Sequence, residues 1–355
     1  MSNTSTIRPQ PDQQAEAARA LRVSALFVAI FGALWAMAFL IAQHLPYIQP
    51  GSDIVFSAKM EMLRRGQVLD MSKPVRVLIF GNSKVLAGFN PVSFQREVPE
   101  VSAYNCGLPA TSEFVKELTA LVDRGQIPTH VLITVPWEDP VKRPRSLFHL
   151  IGSDRELMER IFPFRHLLRN LALFLLRSPK FGGIGSYYDH GREVATVMQR
   201  GQGYYFIDAQ SRFPGNRLPD DFSIMGDGNA VEYRAPATAS QSFATLRAIA
   251  ARYGIKLLVV PYYLRAGERG APGVNTPMVE ALEKYPEFHV LGDEYLLFPN
   301  RYFSDTAHLN PEGAEVYTAE IAKLMKDELV AERAQKQETQ QATREQATKE
   351  GHHAF

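Results

Sequence analysis

Between Val23 and Ala42 the chain carries no charged residue over twenty positions. The run reads Val-Ser-Ala-Leu-Phe-Val-Ala-Ile-Phe-Gly-Ala-Leu-Trp-Ala-Met-Ala-Phe-Leu-Ile-Ala. At about 1.5 Å of rise per residue, such a helix covers about 30 Å, one hydrocarbon core. A core helix of a soluble domain normally keeps a polar face, and this run has none. A cleaved signal peptide is the rival, with Ala36-Met-Ala38 as a small-residue cleavage site. Two features favour a retained anchor: the apolar run continues past Ala38, and the leader before it is long. Arg8, Arg19 and Arg22 precede the span, whereas 44–56 contains neither Lys nor Arg. The positive-inside rule then puts residues 1–22 in the cytoplasm and everything beyond about residue 45 outside.

Composition closes several other routes. With a net charge of +1, the chain offers no electrostatic footprint for nucleic acid. The single cysteine, Cys106, excludes an internal disulfide and a cysteine-rich metal site. His130, His149, His166, His190 and His289 lack metal-ligand spacing, so no metal or other cofactor is expected. The glycine-rich segments 182–188 and 201–206 read as loops, because neither follows a strand and opens a helix as a phosphate cradle does.

Beyond the span, short apolar runs alternate with helical patterns. Residues 1–21 are polar and expected to be disordered, and 43–73 is a connector with a helix near 57–65. The first strand is Val75–Phe80, the second Val101–Asn105 and the third His130–Val135, ended by Pro136. Asn90-Pro91 starts a helix, with Asn as cap and Pro in the first turn. Thr111 or Ser112 caps another, which Gly125 stops. From about 140 to 235 the alternation pauses in an inserted cap region. That region holds the apolar stretch 167–176, read either as a buried cap helix or as a membrane- or partner-facing lid. A helix over 239–253, a fourth strand over 255–260 and a short fifth over 289–291 follow. Asn310-Pro311 opens the last domain helix, which runs to about Leu329. The tail 331–355 has almost no large apolar residue and is expected to be solvated helix or disordered. The expected fold is therefore α/β: a parallel sheet covered on both faces over 74–330, after one transmembrane helix.

In such sheets ligands sit beyond the carboxyl ends of the strands. Three turns belong on that rim: Gly81-Asn82-Ser83, Asn105-Cys106-Gly107 and Trp137-Glu138-Asp139. A serine hydroxyl needs a base, usually an imidazole held by a carboxylate. Ser304-Asp305-Thr306-Ala307-His308 can supply both, since a single turn brings Asp305 to His308. The oxyanion of an acyl-transfer reaction also needs donors, for which the N–H groups of Ser83 and Gly107 are candidates. Cys106 reads as a small buried residue, and Glu138-Asp139 as helix-start or loop residues.

In combination these pieces resemble the GDSL/SGNH hydrolases over about residues 74–328. Gly81-x-Ser83 with Gly88 is similar to their block I, Asn105-x-Gly107 to their glycine block, and Asp305-x-x-His308 to block V. The resemblance implies a three-layer flavodoxin-like sheet, with Ser83 as nucleophile, His308 as base, Asp305 as its orienter and Gly107 as an oxyanion donor. The family's third block usually supplies an Asn, and Thr134–Asp139 has none; Asn82 and Asn105 are the candidate substitutes. Gly81-Asn82-Ser83, the anchor and Asp305-x-x-His308-Leu309-Asn310 also look similar to membrane-anchored SGNH-like proteins of bacterial envelope polysaccharide acylation, of the alginate-acetylation or teichoic-acid-alanylation style. That resemblance implies an acyl-ester or polysaccharide substrate, a membrane-bound O-acyltransferase as partner, and a domain facing the periplasm from the inner membrane. Two alternatives stay open: a catalytically silent carbohydrate-binding or assembly subunit, and a lipid esterase.

Overall fold

The computed structural model describes residues 11–44, 52–109, 114–134, 167–206, 213–225, 227, 237–269, 273 and 275–352. Helix α1 spans Pro11–His44, and Ala18–Ile41 within it is long and apolar enough to cross a membrane, with none of it buried by the rest of the chain. The helix starts earlier than the apolar run, so part of the leader expected to be disordered is helical. Proline at its first position is compatible with that start, because its missing N–H would have no helical partner there.

The chain divides into two compact units, Met1–Gly51 with Arg143–Gly191, and Ser52–Lys142 with Arg192–Phe355. The second unit contains the sheet. Strands β1 (Val75–Phe80), β2 (Val101–Asn105), β3 (His130–Ile133), β4 (Lys256–Val259) and β6 (Phe288–Val290) form a five-stranded parallel sheet in the order β2-β1-β3-β4-β6. A second, two-stranded parallel sheet pairs β5 (Tyr262–Arg265) with β7 (Tyr295–Phe298). The sequence pattern does not anticipate this pair: it ends the fourth strand at Val260, before Pro261, and places only the short strand 289–291 beyond it.

Alternate side chains of each strand enter opposite cores, as a pleated strand requires. Leu78 and Phe80 of β1 join Val131, Ile133, Leu257 and Val259 on one face. That face is covered by helices α5 (Val115–Asp123), α8 (Gln241–Tyr253) and α9 (Thr276–Leu282), through Leu118, Leu246 and Leu282 among others. Val77 and Ile79 join Leu132 and Leu258 on the other face. There they meet α3 (Ser83–Gly88), α4 (Pro91–Glu97) and α10 (Pro311–His352), through Val85, Phe94 and Ile321. Helix α2 (Ser52–Arg65) adds Leu63 to the first core, so the expected connector contributes to the domain. The tail after Ala331 continues α10 as helix to His352.

Connections from β1 run to β2 on one side and, after β2, to β3 on the other. The chain direction across the sheet therefore reverses between β1 and β3. In doubly wound sheets the crevice at that reversal is where ligands sit, and Ser83 follows the end of β1.

At the opposite, amino-terminal edge, α10 is tied down by charge. Glu332 contacts His130 Nε2 at 2.9 Å and Lys256 Nζ at 2.9 Å, the first residues of β3 and β4. Burial raises the Glu332 carboxyl, but hydrogen bonds from His130 and Lys256 outweigh it and hold the group down at about 2. A depressed carboxylate contributes stability above its unfolded value and loses it as pH falls through the folded one. Glu332→Gln is therefore expected to lower unfolding free energy by about 2 kcal/mol at neutral pH. Urea midpoints measured from neutral pH down to about 2 should show the two proteins converging in acid.

Candidate active site

Ser83 sits one turn past β1 because Gly81 lets the strand end pass close to β3. A Cβ on Gly81 would lie 2.4 Å from Val85 Cγ2 and 2.6 Å from Thr134 Oγ1, inside any tolerable contact. Asn82 then caps α3: its side-chain Oδ1 accepts the Lys84 N–H at 2.9 Å. Ser83 is the first residue of that helix, so its own N–H has no intrahelical acceptor.

The partner residues arrive from 225 positions away. An isolated antiparallel bridge between Phe303 and Leu309 pinches off the loop that carries them. Within it the Ser304 N–H donates to the His308 carbonyl at 2.9 Å. Asn310 caps α10 through Oδ1, which accepts the Gly313 N–H at 2.9 Å, while its Nδ2 donates to the Arg301 and Asn216 carbonyls. The cap expected at Asn310-Pro311 therefore also fixes where the loop stands.

Ser83 Oγ and His308 Nε2 are 2.9 Å apart, and His308 Nδ1 lies 2.8 Å from Asp305 Oδ2. Asp305 is itself held: its Oδ1 accepts the N–H groups of Ala307 and His308, each at 2.7 Å. Burial pushes the Asp305 carboxyl up, yet the His308 ring, these N–H groups and the His308 charge together hold it below its usual range. An ionised carboxylate beside Nδ1 favours the tautomer whose Nε2 is free to accept the Ser83 proton.

The expected oxyanion candidates separate. The Gly107 N–H donates to Asn105 Oδ1 at 2.8 Å, so it is engaged within its own turn. Asn105 is fully buried, and its Nδ2 donates to the Val85 and Phe89 carbonyls at 2.7 Å each. Neither amide is aimed at the rim. Glycine at 107 has a packing reason instead, since a Cβ there would lie 2.5 Å from the Leu86 nitrogen. Asn82 differs: with Oδ1 turned to the helix, its Nδ2 meets no acceptor among the described residues. Of the expected candidates, the Ser83 N–H and the Asn82 side-chain amide are the two that the Asn105 turn does not engage. Of the third turn, residues 135–139 lie outside the described residues.

Asn105 acts as a knot between β2 and α3, satisfying carbonyls that a short helix leaves open at its end. Asn105→Leu is expected to lower stability by about 3 kcal/mol, since it orphans buried carbonyls and the Gly107 N–H together. Chemical denaturation checks this; a loss under about 1 kcal/mol would contradict the assignment. Below the same turn, buried Lys59 donates to the Asn105 and Gly203 carbonyls, and burial pulls its ammonium down to about 7. Burial pushes the Cys106 thiol up to about 12, which agrees with its expected inert role.

Two supports were not visible in the sequence pattern. Arg265, fully buried, pairs with both oxygens of Asp227 at 2.7 and 3.2 Å and donates from Nε to the Thr306 carbonyl at 3.3 Å. It therefore steadies the backbone between Asp305 and His308. Tyr263 Oη donates to the Lys84 carbonyl at 2.9 Å, and Lys84 Nζ returns a bond to the Tyr263 carbonyl at 3.2 Å, clamping α3 to β5. The signal for Arg265 is a lone cation directly after the apolar run Tyr262-Tyr263-Leu264, just past Pro261.

In comparisons with known proteins, no family model matches the chain, and neither does any curated protein or solved structure.

Proposed function

We propose that this chain is an SGNH-type serine esterase or O-acyltransferase, tethered by α1 and acting outside the cytoplasm. The observation that carries the reading is the unbroken contact chain from Ser83 Oγ through His308 to Asp305. Its position supports the reading further, at the strand end beside the reversal point of the sheet. The serine after β1 and the Asp-x-x-His before the last long helix support it too, as the motifs that resemble the SGNH blocks.

In this mechanism Ser83 Oγ attacks the acyl carbonyl as its proton passes to His308 Nε2. The tetrahedral oxyanion meets the Ser83 N–H and the Asn82 amide. Collapse releases the donor alcohol, which takes the proton from His308, and leaves an acyl group on Ser83. His308 then deprotonates an acceptor hydroxyl, of a polysaccharide or of water, which takes the acyl group and frees the serine. The acyl group proposed is acetyl, the acceptor an envelope or exported polysaccharide, and the partner a membrane-bound O-acyltransferase at the bacterial inner membrane.

One observation favours a second reading. With the Gly107 N–H and the Asn105 amide both engaged, a glycan-binding subunit without turnover is the alternative. Incubating the full-length protein with a fluorophosphonate and mapping the adduct by mass spectrometry distinguishes the two. An adduct on Ser83, with turnover of a simple acetyl ester, supports the enzyme; an unmodified Ser83 and no turnover support the silent subunit.

A further inference from the structure

Helix α6 (Leu167–Arg177), a 3-10 turn (Ser178–Phe181) and helix α7 (Ile184–Arg200) form an elbow whose tip exposes four large apolar residues. Leu175 is 46% exposed, Leu176 74%, Phe181 41% and Ile184 57%. These are the tip residues, clustered within ten positions of one another. Single exposed apolar residues are ordinary, but a cluster of large ones marks a contact surface.

The tip is also stiff. Tyr187 is buried beneath it, with ring centroids 4.8 Å from Phe174 and 4.3 Å from Phe181. The Gly182 N–H donates to the Pro179 carbonyl and the Gly183 N–H to that of Ser178, closing the turn. The apolar tip is therefore presented by a braced scaffold.

Charge selects the occupant. From Leu167 to Tyr188 the sequence contains Arg169, Arg177 and Lys180 and no acidic residue. Arg177 and Lys180 are exposed and sit directly between the apolar tip residues. Apolar side chains interleaved with cations are what an interfacial segment needs: the first enter the acyl boundary, the second meet anionic headgroups. The same chain carries α1, long and apolar enough to cross a bilayer. We propose that the α6–α7 elbow is a second membrane contact, lying in the headgroup region of a bilayer containing anionic lipid. This inference does not depend on the acyl-transfer reading.

The test uses the full-length protein in phosphatidylcholine vesicles, with and without phosphatidylglycerol. Leu176→Cys and, separately, Met225→Cys carry an environment-sensitive dye; Met225 is fully exposed beside Asp220, Asp221 and Asp227. Both positions are on the surface, so labelling leaves the core intact, and the buried Cys106 should take no dye. Nitroxide-bearing lipid is expected to quench the 176 probe at least about threefold more than the 225 probe. Phosphatidylglycerol should increase that quenching, and the double change Arg177→Glu with Lys180→Glu should reverse the increase. Equal quenching at both positions, with equal access to aqueous iodide, overturns the proposal. So does a 176 probe shielded from iodide but untouched by nitroxide lipid, which would assign the surface to a protein partner.

Discussion

Ser83→Ala is expected to lower acyl-ester turnover by about a millionfold and to abolish fluorophosphonate labelling, while leaving the protein folded. The loss is large because the chain's single thiol, Cys106, cannot take over: it is buried and pushed up to about 12. Folding should survive because Ser83 does not cap its helix. That role belongs to Asn82, through the Lys84 N–H. Alanine removes one oxygen and the contact to His308 Nε2, and is a good helix former at the position it takes. Thermal melting should therefore move by no more than a substitution of about 0.5 kcal/mol allows. A variant that keeps its melting point and still turns over ester would remove Ser83 from the chemistry. A variant that loses both would leave the comparison to Ser83→Thr, which keeps a hydroxyl on a bulkier side chain and should fold while reacting slowly.

The strands of the five-stranded sheet were legible because each is a short apolar run, whereas β5 and β7 were not. Val75–Phe80 and Val101–Asn105 fall where the apolar pattern puts them. The helix starts at Asn90-Pro91 and Asn310-Pro311 were legible for a local reason, since cap and proline act within one turn. Donor direction was not. Whether the Gly107 N–H faces the rim or its own turn depends on where the Asn105 side chain goes. That in turn depends on the Val85 and Phe89 carbonyls of a helix whose existence the pattern did not show. Arg265 was hidden for the same kind of reason. Its partners Asp227 and Thr306 are 38 and 41 residues away, and no spacing rule links residues that far apart. The silent segment from 140 to 235 hid a third feature. Gly182–Tyr188 reads as a loop by composition, yet Ile184 already begins a seventeen-residue helix, because the two glycines end one turn and Tyr187 anchors the next.

Asp305→Asn is expected to cut turnover by about ten-thousandfold, the second-largest loss after that of the serine, although it changes only one oxygen to an amide nitrogen. The reason lies in the backbone around the carboxylate. Asp305 Oδ1 accepts two N–H groups, from Ala307 and His308. An asparagine must keep its carbonyl oxygen toward those donors, since an NH₂ group there would face two hydrogens. Its NH₂ is then forced toward His308 Nδ1, which has to become an acceptor. The ring proton moves to Nε2, the nitrogen 2.9 Å from Ser83 Oγ, and the base can no longer take the serine proton. The loop geometry should be preserved, so the effect belongs to the tautomer and not to folding. Asp305→Ala makes the useful contrast: it orphans the two N–H groups and should lower stability by about 1–3 kcal/mol as well. Measuring kcat beside thermal midpoints for both variants separates the two contributions. A drop of less than about tenfold in the asparagine variant would mean that Asp305 serves the loop alone, and would leave His308 without its orienting group.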